Sequence, residues 1–145
     1  MVAETDSFIR FFFSCRRRFK RMNYTQLKEF QVKKSKEIVE FVVKNSPFFK
    51  NYYADSDLND VWNLPTVNKK IMMDNLTDYN TVGLSKEELV SFLEKIEQEK
   101  NYSERFHGFT VAMSSGTSGS KGVVITSPSE EKYLQAAFFC SFQFP

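Results

Sequence analysis

The 145-residue sequence predicts an α/β protein in which a mainly helical N-terminal region is followed by a β-loop-β-α unit. Two observations lead to this fold class. Apolar residues recur at helical spacing through most of the first hundred positions. Two short apolar runs, partly β-branched, then flank a segment rich in glycine and serine, which is the pattern of two buried strands joined by a loop.

Residues 1–23 are predicted to form a basic amphipathic helix. Five residues lie on one helical stripe, whereas the basic residues lie mostly off it: Phe8, Phe12, Cys15, Phe19 and Met22. Residues 1–22 hold six basic and two acidic side chains. Two interpretations stay open, because the stripe could dock on the body of the protein or residues 8–22 could lie on an anionic membrane surface.

Residues 24–45 form the longest helical candidate. Pro47 disfavours helical geometry at Ser46, so this helix should end there. Proline is favoured at the first position of a helix, and a second, short helix is therefore expected to begin at Pro47.

Residues 48–107 contain shorter elements. A short helix is expected near Lys69 to Asp74, followed by a turn in the sequence DYNTVGLS. Ser85 opens another helix, with Glu88 in the position that completes a capping box. Residues 100–107 are polar and are predicted to form a loop.

The predicted strands are FTVAM (109–113) and VVITS (123–127). A final helix should begin at the end of the second strand. Ser127 is its expected cap, Pro128 its first residue and Glu130 the capping-box partner. The tail FFCSFQFP is aromatic and apolar, which leads us to expect that the fold continues beyond it or requires a partner.

The distribution of charge and the number of cysteines exclude some classes of function. The net charge is +2, and the 123 residues after the basic segment hold 14 basic and 16 acidic side chains, so the body carries no nucleic-acid-binding footprint. Cys15 and Cys140 are 125 positions apart and predict neither a metal site nor a disulfide framework. A reducing, cytoplasmic location is the simplest expectation.

The segment AMSSGTSGSKGVVITS contains the residues that indicate a binding function. Its G-x-x-G-x-x-G spacing lets the backbone curl, so that several N–H groups can face one anion without interference from Cβ atoms. Hydroxyl groups add donors, and Lys121 adds a charge that suits phosphate. A hairpin with an ordinary glycine-rich tip is the alternative. The spacing fits neither a Walker loop nor a dinucleotide-binding fingerprint.

The stretch SSGTSGSKG resembles the phosphate loop of the adenylate-forming ligases, whose usual form is S-S-G-T-T-G-x-P-K-G. Here Ser118 replaces the second threonine, the proline is missing and the loop is one residue shorter. This variant is similar to that of the phenylacetate–coenzyme A ligase-like subgroup, especially relatives of the deazaflavin coenzyme synthetase. The stretches NSPFFKNYY, LPTVNKKIMMDN and YNTVGLSKEEL precede it in the subgroup's order, and the resemblance covers about residues 24–140.

The resemblance implies ATP-dependent activation of a small-molecule carboxylate, or adenylylation of a hydroxyl, with release of pyrophosphate. ATP and Mg²⁺ are the implied cofactors. Residues 24–145 would be the N-terminal part of an adenylation domain. The domain would be incomplete in this sequence, because in members of the family the catalytic residues and the metal ligand follow the phosphate loop at positions that this sequence does not include. The alternative is a non-catalytic interaction module, or a remnant, that needs a partner half. The implied phosphate-binding residues lie in the loop 114–122: Ser114, Ser115, Gly116, Thr117, Ser118, Gly119, Lys121 and Gly122.

Overall fold

The computed structural model of the chain describes residues 2–114 and 121–141. The prediction of a mixed fold is confirmed in its coarse form, since this part of the chain is rich in helix and carries a small two-stranded antiparallel sheet. The elements are, in chain order, α1 (Val2–Arg21), α2 (Tyr24–Asn45), α3 (Pro47–Tyr52), α4 (Lys69–Asp74), α5 (Leu76–Tyr79), α6 (Lys86–Glu99), β1 (Thr110–Met113), β2 (Val123–Thr126) and α7 (Pro128–Ser141).

The junction between α2 and α3 follows the prediction made from Pro47. Ser46 is extended, with φ −118° and ψ 118°, and Pro47 is the first residue of α3. The Ser46 hydroxyl accepts a hydrogen bond from the Phe49 amide at 3.3 Å and donates one to the Asp78 carbonyl at 2.7 Å. These two bonds satisfy a side chain that is almost completely buried, and they tie the start of α3 to α5.

One further helix, α5, follows α4 and includes the first two residues of the stretch predicted as a turn; the sequence did not predict this helix. Asn80 then holds the turn that follows. Its side-chain amide donates to the carbonyl groups of Leu76 and Leu84, and its carbonyl oxygen accepts from the amides of Val82 and Leu84. One buried asparagine therefore supplies the hydrogen bonds that join α5 to the segment entering α6.

The core is built around α6. The Ser85 hydroxyl accepts from the Glu88 amide at 3.2 Å, which is half of the predicted capping box. The apolar face of α6 then packs against α5 and both strands. The buried residues of this cluster are Leu76, Leu89, Phe92, Leu93, Ile96, Val111 and Val123.

A tight turn at His107 and Gly108 precedes the sheet. Both residues have positive φ, 48° and 85°, and Phe106 and Phe109 exchange two backbone hydrogen bonds of 2.9 Å across them. This is the geometry of a two-residue hairpin turn, in which glycine at the second position is favoured. The polar segment predicted as a loop over 100–107 therefore ends in a two-residue turn that leads into β1.

β1 and β2 pair in antiparallel register from Thr110↔Thr126 to Met113↔Val123. Each strand is slightly shorter than predicted. α7 begins with the predicted capping box, because the Ser127 hydroxyl accepts from the Glu130 amide at 3.2 Å and the Glu130 carboxylate accepts from the Ser127 amide at 2.8 Å. α1 packs against α7.

Candidate functional site

The strand pairing brings the two ends of the glycine- and serine-rich segment together. The Ser114 amide donates to the Gly122 carbonyl at 2.8 Å, one step beyond the last strand pair. This hairpin base is where the predicted phosphate loop begins and ends. Five residues predicted to bind phosphate lie outside the described residues: Ser115, Gly116, Thr117, Ser118 and Gly119.

The backbone amides at the hairpin base are already engaged by the protein. The Ser114 amide bonds to Gly122, the Gly122 amide donates to the Ser114 hydroxyl at 2.9 Å, and the Val123 amide donates to the Met73 sulfur at 3.4 Å. The expectation that backbone amides of this segment face an anion therefore does not hold for Ser114 and Gly122. An N–H cradle of the predicted kind would have to be formed by residues 115–121.

A lysine that the sequence analysis did not select lies at the same place. Lys69, the first residue of α4, donates from Nζ to the Ser114 hydroxyl at 3.0 Å. A Cβ atom built on Gly122 would come within 2.7 Å of Lys69 Cε. The glycine thus leaves the space through which the lysine side chain reaches the hairpin base.

The position of Lys69 is set by local structure. Asn68 caps α4, its side-chain oxygen accepting from the Ile71 amide at 2.9 Å. The cap fixes the first turn, so that the half-buried Lys69 points to the hairpin while its neighbour Lys70 forms an exposed ion pair with Asp74. Lys69 and Ser114 are 45 positions apart, and no sequence spacing could have indicated this contact.

The electrostatics at the hairpin base favour an anion. Within the described part of the chain, Lys69 has a hydroxyl partner and no carboxylate at ion-pair distance. Lys121, at the other end of the loop, has an exposed side chain. Lys69 therefore brings one ammonium group to the hairpin base, and a flexible lysine of this kind is a common partner of phosphate.

The resemblance implies a magnesium ion. Among residues 2–114 and 121–141, no group of three or more His, Cys, Asp or Glu side chains is arranged to hold a metal. Mg²⁺ prefers oxygen ligands and is often bound through substrate phosphates together with one or two carboxylates.

α1 packs on the body through part of its predicted stripe. Cys15 is buried, Phe12 is half-buried, and the Phe11 ring meets Tyr133 edge to face with 4.4 Å between ring centroids. Phe13 is 63% exposed, and Arg16 and Arg17 are exposed as well. One side of α1 is thus docked, and the opposite side carries basic and aromatic groups that face solvent.

A separate apolar groove of about 700 Å³ runs between α2, α3, α5 and the sheet. Its walls include Val42, Phe49, Leu76 and Ile125. No lysine or arginine is among its lining residues in the described part of the chain, so it does not share the character of the hairpin base. A phosphate group would lose its hydration without a cationic partner in this groove, whereas Lys69 offers such a partner at the hairpin base.

Comparisons of the chain with protein-family models, with curated proteins and with solved structures gave no match. In the described residues, no helix has both the length and the apolar character needed to cross a membrane.

Proposed function

We propose that the chain forms the N-terminal, phosphate-binding part of an ATP-dependent adenylate-forming ligase. The observation that carries the proposal is the placement of Lys69 against Ser114 and Gly122, at the base of a loop whose sequence resembles the phosphate loop of these enzymes. The substrate would be a small-molecule carboxylate or alcohol. We propose a cytoplasmic location, since two free thiols are compatible with a reducing compartment.

Each residue of the site has a role in this proposal. Lys69 and Lys121 would offset the charge of the β- and γ-phosphates from the two ends of the loop. The Ser114 hydroxyl would hold Lys69 in place, while hydroxyl and amide donors of Ser115, Thr117 and Ser118 would contact phosphate oxygens. The substrate oxygen would attack the α-phosphorus and pyrophosphate would leave, so stabilisation of the charge on pyrophosphate is the largest contribution that these residues could make.

Neighbouring lysines give a matched test of the proposal. Lys69→Met and Lys70→Met each remove one ammonium group from α4 and keep most of the aliphatic side chain. We expect Lys69→Met to weaken MgATP binding about tenfold, which corresponds to about 1.4 kcal/mol. Lys70→Met should change the affinity less than about twofold, because it breaks only an exposed ion pair with Asp74.

Isothermal titration of MgATP into the three proteins measures this difference. Equal loss of affinity in the two variants would indicate a general charge effect and would contradict the site. Absence of MgATP binding by the unmodified chain would contradict the phosphate-binding role altogether.

The reaction itself is tested by ATP–pyrophosphate exchange with the longer enzyme of which this chain would be the N-terminal part. A panel of aromatic and aliphatic carboxylic acids and a deazaflavin should include at least one compound that supports incorporation of labelled pyrophosphate into ATP. No exchange across the panel, in a protein that binds MgATP, would separate nucleotide binding from the proposed ligase activity.

The exposed apolar residues favour a second candidate, a non-catalytic interaction module that pairs with a partner half. Ile38 and Phe41 on α2, and Leu134 and Phe138 on α7, are each more than half exposed. A monodisperse monomer in sedimentation velocity that does not bind MgATP would favour this candidate over the ligase.

The free side of α1 supports a peripheral membrane contact as a further partner. Exposed Phe13 beside Arg16 and Arg17 matches an interfacial helix on anionic lipid. The chain should pellet with vesicles containing phosphatidylserine and not with phosphatidylcholine alone. Arg16→Glu/Arg17→Glu should abolish pelleting, whereas Lys44→Glu/Lys50→Glu, with the same change of charge on the body, should not. Equal pelleting by both double variants would contradict a contact through α1.

A further inference from the structure

The fold brings the two cysteines of the chain to the same helix–helix interface, although 125 positions separate them. The Cys140 thiol on α7 donates to the Phe12 carbonyl on α1 at 3.5 Å. Cys15 follows Phe12 by three residues, and residues three apart lie on the same face of a helix. Both thiols therefore lie between α1 and α7.

Cys140 also acts electrostatically on Cys15. The pKa of Cys15 is raised, mainly by burial and then by the neighbouring Cys140. Neither cysteine is in a disulfide. Cys15 is buried and Cys140 is half-buried, so a small reagent in solution reaches Cys140 first.

The packing of the two helices permits a direct bond. Helices in contact have axes about 8–10 Å apart, and Cα atoms lie about 2.3 Å from each axis, so facing Cα atoms come within about 3.4–5.4 Å. Disulfides join Cα atoms about 4.4–6.8 Å apart. The edge-to-face contact between Phe11 and Tyr133 is a further contact between the same two helices.

We propose that Cys15 and Cys140 form an intramolecular disulfide when hydrogen peroxide oxidises the protein, which joins α1 to α7. In the first step, the Cys140 sulfur attacks one peroxide oxygen; the O–O bond breaks, a sulfenic acid forms and water leaves. In the second step, the Cys15 sulfur attacks the Cys140 sulfur; the S–O bond breaks, the S–S bond forms and a second water leaves. The two thiols are oxidised and one peroxide is reduced to two waters.

The consequence is a closed ring that includes nearly the whole chain. In the reduced state non-covalent contacts hold α1 against α7, whereas in the oxidised state a covalent bond joins the two helices. Oxidation therefore fixes the docked arrangement of α1, including the basic side that faces solvent. This inference does not depend on the ligase proposal, since it involves neither the hairpin base nor nucleotide.

The test uses the full chain, reduced, freed of reductant and treated with a slight excess of hydrogen peroxide. Remaining thiols are then alkylated with iodoacetamide in denaturant. We expect a monomer that has lost two hydrogen atoms, takes up no alkyl group and yields a crosslink between the tryptic peptides 11–16 and 133–145. Dithiothreitol should reverse the change. The oxidised protein should also unfold at a higher temperature than the reduced protein.

Two variants and a denatured control give the opposing outcomes. Cys15→Ser should leave a sulfenic acid at Cys140 that dimedone traps, and Cys140→Ser should remain largely unmodified because Cys15 is buried. The same treatment in urea should give much less of the intramolecular crosslink. Intermolecular dimers as the main product, or an equal yield of crosslink in urea, would overturn the proposal.

Discussion

Gly122 has no side chain and therefore leaves room for Lys69 beside Ser114. A Cβ atom there would lie 2.7 Å from Lys69 Cε and 3.4 Å from the Ser114 hydroxyl. The first contact is with the flexible part of a long side chain, which can move at little cost to stability. A methyl group at this position should therefore displace the Lys69 side chain while changing the stability of the fold little.

We predict that Gly122→Ala displaces Lys69 and lowers the affinity for MgATP several-fold, while the free energy of unfolding changes by less than about 1 kcal/mol. Nucleotide titration and urea denaturation of the same preparation measure the two effects. A large loss of stability with unchanged affinity would show that Gly122 serves only the hairpin.

Between elements, Glu131 links α7 to β1 and to the segment before it. Its carboxylate accepts hydrogen bonds from Arg105 at 2.8 Å and from the Thr110 hydroxyl. The hydrogen bond from Arg105, followed by that from Thr110, lowers the pKa of Glu131 below its ordinary value. A carboxylate whose pKa is lower in the folded protein stabilises the fold above its unfolded pKa, and this contribution is lost as the pH falls through the folded pKa.

We predict that Glu131→Gln lowers the melting temperature at neutral pH and that the difference from the unmodified protein shrinks below about pH 4.3, where glutamate protonates in the unfolded chain. Thermal unfolding followed by circular dichroism across this pH range checks the sign. Glu97→Gln, an exposed change on α6, serves as the control. A difference that grows as the pH falls would contradict the role given to Glu131.

Local sequence signals predicted the helix boundaries where the interacting groups are near neighbours. The capping box of Ser127 and Glu130 and the break at Ser46 and Pro47 are of this kind. α5 was missed because it has only four residues and its cap, Asn75, makes no side-chain capping bond. The capping box of Asn23 and Gln26 was also missed, although its signal is local and the sequence contains it.

The candidate site was only partly predictable. The loop and Lys121 follow from a contiguous motif, whereas the Lys69–Ser114 contact depends on how α4 packs against the hairpin. The placement of Cys15 and Cys140 at one interface depends in the same way on the docking of α1 against α7. Contacts over 45 and 125 positions are products of tertiary structure, and periodicity or spacing contains no information about them.

Helix α6 is the element on which the strands and α5 pack. Leu89, on the apolar face of this helix, is completely buried. We predict that Leu89→Ala destabilises the protein by about 2–5 kcal/mol, because it removes buried apolar surface and leaves a cavity. Leu134→Ala, at a position that is 62% exposed on α7, should cost less than about 0.5 kcal/mol. Urea denaturation of both variants measures the contrast, and equal effects would contradict a core centred on α6.

We propose that the loop closed by Ser114 and Gly122 binds the polyphosphate of ATP. A titration of ¹⁵N-labelled protein with MgATP, in which backbone amide resonances are followed by NMR, tests this proposal. We expect the largest shifts on residues 115–121 and near Lys69, with inorganic triphosphate reproducing most of them. Unchanged loop resonances, or shifts confined to the apolar groove between α2 and α5, would contradict it.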